Sequence, residues 1–312
     1  MKTFLAGLLV CPVCRGREAP LSLTARETRG DEVVAGFLDC PHCRTRHPII
    51  DGVAEVLPAP RAMEPHASQK RYELGPALSS YLWAHFGDLA GDGRAGALFR
   101  ELAPLLRDAP GPLLDAGSAV GRMVFETAGA VGCAVGVDLS RRFIHAARTM
   151  LLEGAVEFDL ALEGRITEPV RIEAPAEWAG LEADFLAADA MALPFPASVF
   201  GAASSLNLLD KLPNPLRHLQ ELDRVAHPRQ ARLLVADPFS WSEDAAEPAQ
   251  WLGGLDSGPY AGRGLGNLER EMRAGFGGPP WSVAGRGAAK WTLRTHANHA
   301  ESITSQYLLG VR

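Results

Sequence analysis

From residue 112 onward, short apolar runs alternate with stretches whose apolar residues fall on one helical face. Pro112–Leu114 lead a buried run that stops at Asp115, Gly117 to Gly121 make a tight turn, and Val120 to Ala130 continue with helical character. A second run, "CAVGVDLS", ends at Asp138 and opens into the helical "RRFIHAARTMLLEG". "DFLAADAMALPFPASVFGAASSLNLLDKL" supplies a third strand ending at Asp189 and then a fourth, and "RLLVADPFSW" supplies a fifth. Apolar strands alternating with helices are covered on both faces, which predicts an α/β fold with a doubly wound, Rossmann-like parallel sheet. "VEFDLALEGRITEPVRIEAP" (156–175) reads as an inserted hairpin, and the chain closes on an antiparallel hairpin.

The first sixty residues carry a different pattern. "PLSLTAR" and "EVVAGFLDC" read as short strands around the polar turn "ETRGDE", and Phe4–Val10 as a strand entering Cys11. "LPAPRAMEPHASQ", rich in Pro and Ala, reads as a linker. The expected organisation is a small domain at 1–60, a linker at 61–71 and a large domain at 72–312.

Composition removes alternatives. Hydrophobic residues make up 47% and charged residues 22%, as in ordinary soluble domains. No apolar run approaches the roughly 20 residues of a membrane helix, so a cytoplasmic protein without a membrane partner is expected. Net charge is −6. The first sixty residues are balanced, with Lys2, Arg15, Arg17, Arg26, Arg29, Arg44 and Arg46 against Glu18, Glu27, Asp31, Glu32, Asp39, Asp51 and Glu55. That balance argues against a nucleic-acid partner.

Four cysteines sit in two matched pairs, Cys11/Cys14 in "CPVC" and Cys40/Cys43 in "CPHC". Two such knuckles supply four thiolates, which predicts a closed tetrahedral structural zinc site. A pair of redox-active dithiols is the competing reading, and His42 and His47 are alternative ligands. Cys133, alone in an apolar stretch, reads as a small buried hydrophobe. The pattern "LLVCPVCRG…LDCPHCRTRHPIIDGVAEVLP" resembles the zinc-ribbon family found alone as a methyltransferase-activating subunit or fused to methyltransferases.

Strand, glycine turn, helix and a second strand ending in an acid form a nucleotide-binding half of a doubly wound fold. Asp138 lies 17 residues after Gly121, at the tip of the second strand, where a carboxylate can accept from both ribose hydroxyls. Asp115, at the start of the loop, chooses the ligand. A carboxylate there repels a pyrophosphate but suits a sulfonium-bearing amino acid with a free ammonium. Asp189, ending the third strand, can receive an adenine amino group.

Together these features resemble the class I S-adenosylmethionine-dependent methyltransferases, whose first motif reads D-x-G-x-G-x-G. Here it stands as Asp115-Ala-Gly117-Ser118-Ala119-Val120-Gly121, with alanine at the middle glycine. The resemblance implies a seven-stranded sheet. It also implies donor contacts at Asp115, Gly117, Ser118, Gly121, Asp138–Leu139 and Asp189–Ala190, with Asn207 near the methionine end.

Finer stretches narrow the family. "YELGPALSSYLWAHFGD", "NLLDKLPNP", "AQWLGGL" and "KWTLRTHANHAESITSQYLLGVR", with the 156–175 insert, resemble the C-terminal mercaptohistidine N-methyltransferase domain of ovothiol synthases. The chain lacks the upstream sulfoxide synthase domain of that family and carries a zinc ribbon instead. The resemblance implies N-methylation of a thiohistidine-like small molecule, and another small acceptor is the alternative.

Candidate substrate residues follow from position. Asp210, after the fourth strand, is the candidate for orienting an imidazole by accepting its second N–H. An N-cap or a surface acid is the alternative reading of it. Asn207 stands beside it. Tyr72, Tyr81, Trp83, His85 and Phe86 fall on an expected lid helix, with Tyr81 and His85 on one face. Trp241 and Trp251 are candidate walls for an aromatic ring. Arg294 and His296 read as contacts to a substrate carboxylate or as a solvated strand edge. The rival functions are a zinc-ribbon ribosomal-RNA methyltransferase and a non-catalytic S-adenosylmethionine-binding subunit. A homodimer in which the ribbon reaches a neighbouring site is a further expectation.

Overall fold

The computed structural model describes residues 1–14, 16–58, 72 and 75–312. The linker expected at 61–71 lies outside them, as does Arg15.

The N-terminal part is built on two hairpins. β1 (Ser22–Arg29) and β2 (Glu32–Asp39) pair antiparallel across Gly30–Asp31, and β3 (Arg46–Ile50) and β4 (Val53–Val56) across Asp51–Gly52. Asp51 and Gly52 both take positive φ, 51° and 75°, which the twist of a two-residue hairpin requires and an Asp-Gly pair supplies. Phe4–Val10 is not the expected strand. Thr3–Ala6 form a short helix, α1. Leu5 and Leu9, four apart, are buried while Gly7 between them is exposed, so the run packs with helical rather than alternating spacing.

The larger part follows the predicted order. α2 (Gly75–Phe86) and α3 (Ala97–Leu102) precede β5 (Leu113–Ala116), α4 (Arg122–Val131), β6 (Ala134–Asp138) and α5 (Arg141–Glu153). The insert forms a separate two-stranded hairpin, β7 (Ala155–Glu163) and β8 (Ile166–Glu173). Then come β9 (Ala183–Ala188), β10 (Ala202–Leu206), α6 (Pro215–Val225), β11 (Arg232–Asp237) and α7 (Gly264–Ala274). The long closing hairpin is β12 (Ser282–His296) and β13 (His299–Val311).

Hydrogen bonding runs through both parts as one eleven-stranded sheet, in the order β1-β2-β3-β4-β9-β6-β5-β10-β11-β13-β12. The sequence reading separates a ribbon from a seven-stranded sheet. Instead β4 pairs in parallel with β9, Glu55 opposite Ala187 and Val56 opposite Ala188. Val53, Ala54 and Val56 are fully buried there, so the ribbon's last strand closes what would otherwise be an open edge.

Two cores cover the sheet. α2 to α5 and the β7–β8 hairpin pack on one face, and α1, α6 and α7 on the other. Strand order reverses beside β5, whose parallel neighbours are β6 on one side and β10 on the other, which opens a crevice at their carboxyl ends. β13 pairs with β11 only as far as Gln306 opposite Asp237. The rest of the closing hairpin therefore projects past that edge, where β12 packs against α2 and α3. Among the described residues, no helix is long and apolar enough to cross a membrane.

A buried ionic cluster fastens the ribbon down. Arg148 of α5 pairs with Asp184 of β9 and Glu32 of β2, and Lys2 donates its backbone N–H to Asp184 at 2.6 Å. Removing the cation leaves two carboxylates buried without it, so Arg148→Ala is expected to cost about 3–5 kcal/mol of stability. Chemical denaturation checks this, and a loss below about 1 kcal/mol contradicts it.

Candidate functional site

The glycine loop connects β5 to α4 by three left-handed residues. Gly117, Ala119 and Gly121 take φ of 79°, 46° and 92°. A Cβ at Gly117 would come 2.7 Å from Leu208, and one at Gly121 2.5 Å from Phe185, so neither position admits a side chain. Ala119 does adopt the conformation a glycine would hold more easily, and its N–H donates to Asp138 Oδ2 at 3.0 Å. Ala119→Gly is expected to raise stability by up to about 1 kcal/mol, because relief of the left-handed strain slightly outweighs the added chain entropy. A lowered melting temperature would contradict this.

The acids predicted at strand ends all stand at the crevice. Asp115 is buried and accepts from Ser204 Oγ at 2.7 Å. Burial, aided by the nearby Asp138, pushes its carboxyl up to about 7 against the Ser204 hydrogen bond. Asp138 spends one oxygen on Ala119 and the other on Ser140 N–H at 2.8 Å. Each carboxylate oxygen has a second lone pair, so ribose hydroxyls can still be accepted. Leu139 follows it, half-buried. Asp189 accepts from Met191 N–H at 2.8 Å, and Ala190 behind it is buried. Ser118 Oγ is buried without a hydrogen-bond partner.

At the ends of β10 and β11 lies a second acidic group. Asn207, at φ 55°, donates its backbone N–H to Ala236 at 2.7 Å and accepts from Ser305 Oγ of β13. Asp210 is neither an N-cap nor a surface acid. The α6 cap is Asn214, which accepts from Arg217 N–H at 2.9 Å. The Asp210 side chain is fully buried; Oδ2 accepts from Ser240 N–H at 2.7 Å. Oδ1 has no hydrogen bond but lies 3.1 Å from Lys211 Nζ. Asp237, passed over in the sequence, accepts from Phe239 N–H at 2.7 Å and from Asp210 N–H at 3.3 Å. Burial and the neighbouring Asp210 push its carboxyl well above the usual range. Its signal was visible: "RLLVAD" is a fourth apolar run ending in an acid, like those at Asp115, Asp138 and Asp189.

The lid residues divide. Tyr72, Tyr81 and His85 come together, with ring centroids 5.9 Å apart for Tyr72–Tyr81 and 6.0 Å for Tyr81–His85. Phe143 and Trp291, absent from the sequence reading, complete the group at 4.9 and 6.1 Å from Tyr81. Burial, and the nearby Arg122, lower His85 to about 3, so its imidazole is neutral. Among the described residues, His85 Nδ1 and Trp291 Nε1 are buried without hydrogen-bond partners.

Phe86 belongs to the core, against Phe125 and Trp178. Trp83 is flanked by the guanidinium groups of Arg94 and Arg294. His296, exposed at the hairpin tip, stacks on His299.

Trp241 and Trp251 do not form two walls of a slot. They stack on each other at 6.4 Å and 17°, closer than the roughly 7 Å that a ring inserted between two others needs. Trp241 Nε1 is also buried and unpartnered.

The four knuckle cysteines converge, their sulfurs all within 4.8 Å of one another. The close contacts run across the knuckles, Cys11–Cys43 at 3.6 Å and Cys14–Cys40 at 3.7 Å. A tetrahedron with metal–sulfur bonds of about 2.3 Å has edges of about 3.8 Å, so the set fits one zinc ion. Two independent dithiols would instead pair within each knuckle. His47 Nε2 lies 4.0 Å from Cys11 Sγ, beside a ligand sulfur, and His42 is exposed. Cys133 is half-buried rather than buried, its thiol raised to about 11 by burial. Its pattern is that of an inert side chain.

Comparison with known proteins matches two segments of the chain. Residues 114–231 match the methyltransferase domain family, and residues 2–52 match the Trm112p-like protein family. No curated protein matches the chain. Among solved structures, a S-adenosylmethionine-dependent methyltransferase from Methanosarcina mazei is 17% identical over 64% of this chain and 91% of its own, with a TM-score of 0.42. Magnesium protoporphyrin IX methyltransferase from Synechocystis is 14% identical over 81% and 100%, at 0.43. The [4+2]-cyclase SpnF is 17% identical over 80% and 97%, at 0.49. The chain carries a methyltransferase domain at residues 114–231 behind a Trm112p-like segment at residues 2–52, and it is a methyltransferase.

Proposed function

We propose that the protein transfers the methyl group of S-adenosylmethionine to a ring nitrogen of a thiohistidine-like small molecule. The observation that carries this reading is Asp210, a buried acid beside the donor crevice. One oxygen accepts from Ser240 N–H, and the other lies 3.1 Å from Lys211 Nζ with no hydrogen bond of its own. The likeness of "NLLDKLPNP" and "WLGG" to mercaptohistidine N-methyltransferases supports it.

When bound, the donor supplies an electrophilic methyl carbon on a sulfonium. Asp115 would hold the ammonium of its amino-acid end, Asp138 the ribose and Asp189–Ala190 the adenine. Tyr72, Tyr81, Phe143 and Trp291 enclose the acceptor and exclude water, which in-line displacement favours. A neutral imidazole already has a competent lone pair, so the protein's task is to fix tautomer and orientation. Asp210 does so by accepting the N–H of the other ring nitrogen. Transfer would form a bond from the ring nitrogen to the methyl carbon as the carbon–sulfur bond breaks, with sulfur keeping the electron pair. The proton on the second nitrogen passes to Asp210.

The test offers 5-thiohistidine, histidine and a total RNA pool with methyl-labelled donor. Label in thiohistidine above that in histidine is the expected result. Label only in RNA, or none despite donor binding, overturns the reading in favour of an RNA enzyme or a donor-binding subunit.

A further inference from the structure

The wall behind the adenine side of the crevice contains a buried residue that the mechanism has not used. His218 of α6 is wholly inaccessible. Its Nδ1 lies 3.0 Å from the Ala190 carbonyl oxygen, and its Nε2 lies 2.8 Å from Ser205 Oγ. A carbonyl oxygen only accepts, so Nδ1 carries the hydrogen; Nε2 then holds the lone pair and the Ser205 hydroxyl donates to it. Burial lowers the ring to about 4, so this neutral tautomer persists near neutral pH.

The contact joins the end of β10, where Asn207 and Asp210 begin, to the residue directly after Asp189. Neighbouring residues of α6 hold the same loop farther on. Glu221 accepts from Leu193 N–H at 2.9 Å, and Arg224 donates to the Leu193 and Phe195 carbonyls at 3.0 and 2.7 Å. Among the described residues, His218 is the side chain recorded at the Ala190 carbonyl.

We propose that His218 is a positioning residue for the methyl donor: by holding the Ala190 carbonyl it sets the peptide against which the adenine ring lies. This rests on the reading that Asp189 and Ala190 receive adenine. A carbonyl released from the imidazole lets that peptide plane rotate, changing the surface offered to the base while leaving Asp210 and the acceptor pocket in place.

Two conservative variants separate this role from simple packing. In His218→Asn the amide nitrogen stands near the position of Nδ1 and can keep the Ala190 contact. In His218→Gln the longer head group stands near Nε2 and keeps the Ser205 contact. Donor affinity is read by calorimetry, turnover at saturating donor by product formation, and fold by thermal melting, with Asp189→Ala as a companion. The expected result is that Gln weakens donor binding about ten-fold, as loss of one buried hydrogen bond would, while Asn stays within about three-fold. Turnover at saturation is expected to stay close to wild type in both. Equal donor affinities in the two variants, or losses that follow only the fall in melting temperature, overturn the proposal. Unchanged donor affinity in Asp189→Ala overturns the adenine reading beneath it. Weakened binding in Asp189→Ala with none in His218→Gln overturns the role of His218 alone.

Discussion

Asp115→Asn is expected to lose most donor affinity and, without donor, to be more stable than wild type at pH 8. The Asp115 carboxyl is buried against one hydroxyl and raised from 3.8 to about 7. A carboxyl raised on folding contributes stability below its unfolded value that is lost as pH rises through the folded value. Above pH 7 the full penalty of burying the charge is present, on the order of 4 kcal/mol from a shift of about three units. Asparagine keeps an acceptor for Ser204 without the charge, so the penalty disappears.

On the proposed reading, the donor's ammonium would supply the countercharge to Asp115. Donor binding by the wild type is therefore expected to tighten as pH rises from 5 to about 7, by up to ten-fold per unit. That range lies below pH 8, where the donor's own amine titrates. The Asn variant is expected to bind weakly with no such slope. Calorimetry across this range, with melts at pH 8, checks both parts. A wild-type affinity independent of pH would remove Asp115 from the donor site.

Asp210→Asn is expected to cut turnover by about 10²–10⁴ while leaving donor affinity near wild type, the range for losing a general base. The Asn oxygen can still accept from Ser240 N–H, so the turn of residues 209–211 should remain in place. What asparagine cannot do is take a proton. Asp237 is not expected to replace it, because burial and the neighbouring Asp210 push its carboxyl well above the usual range. Steady-state kinetics at saturating donor and acceptor read the effect. Undiminished turnover would make Asp210 a structural acid that ties the end of β10 to the segment after β11.

Local patterning made part of this site legible. Apolar runs ending in Asp115, Asp138 and Asp189 located the crevice, because strand length and terminal residue are local properties. The two knuckles located the cysteine cluster for the same reason. Asp237 fits the same rule and was missed because it belongs to the fifth strand, outside the recognised nucleotide-binding half.

Long-range effects were illegible. Parallel pairing of β4 with β9, contact of Trp291 with Tyr81, and the Ser205–His218–Ala190 bridge each join residues distant in sequence. The position of Trp241 and Trp251 after the fifth strand points to pocket walls. The fold of residues 239–254 instead stacks them on each other. Phe4–Val10 failed differently, since seven apolar residues fit a strand or a helical turn equally well.

The central claim is methyl transfer onto an imidazole nitrogen beside Asp210. The most direct test incubates the protein with S-adenosylmethionine and 5-thiohistidine and locates the added methyl by mass-spectrometric fragmentation. The methyl is expected on a ring nitrogen, with little product from Asp210→Asn. A methyl on sulfur, on the α-amino group or on carboxylate oxygen would contradict it.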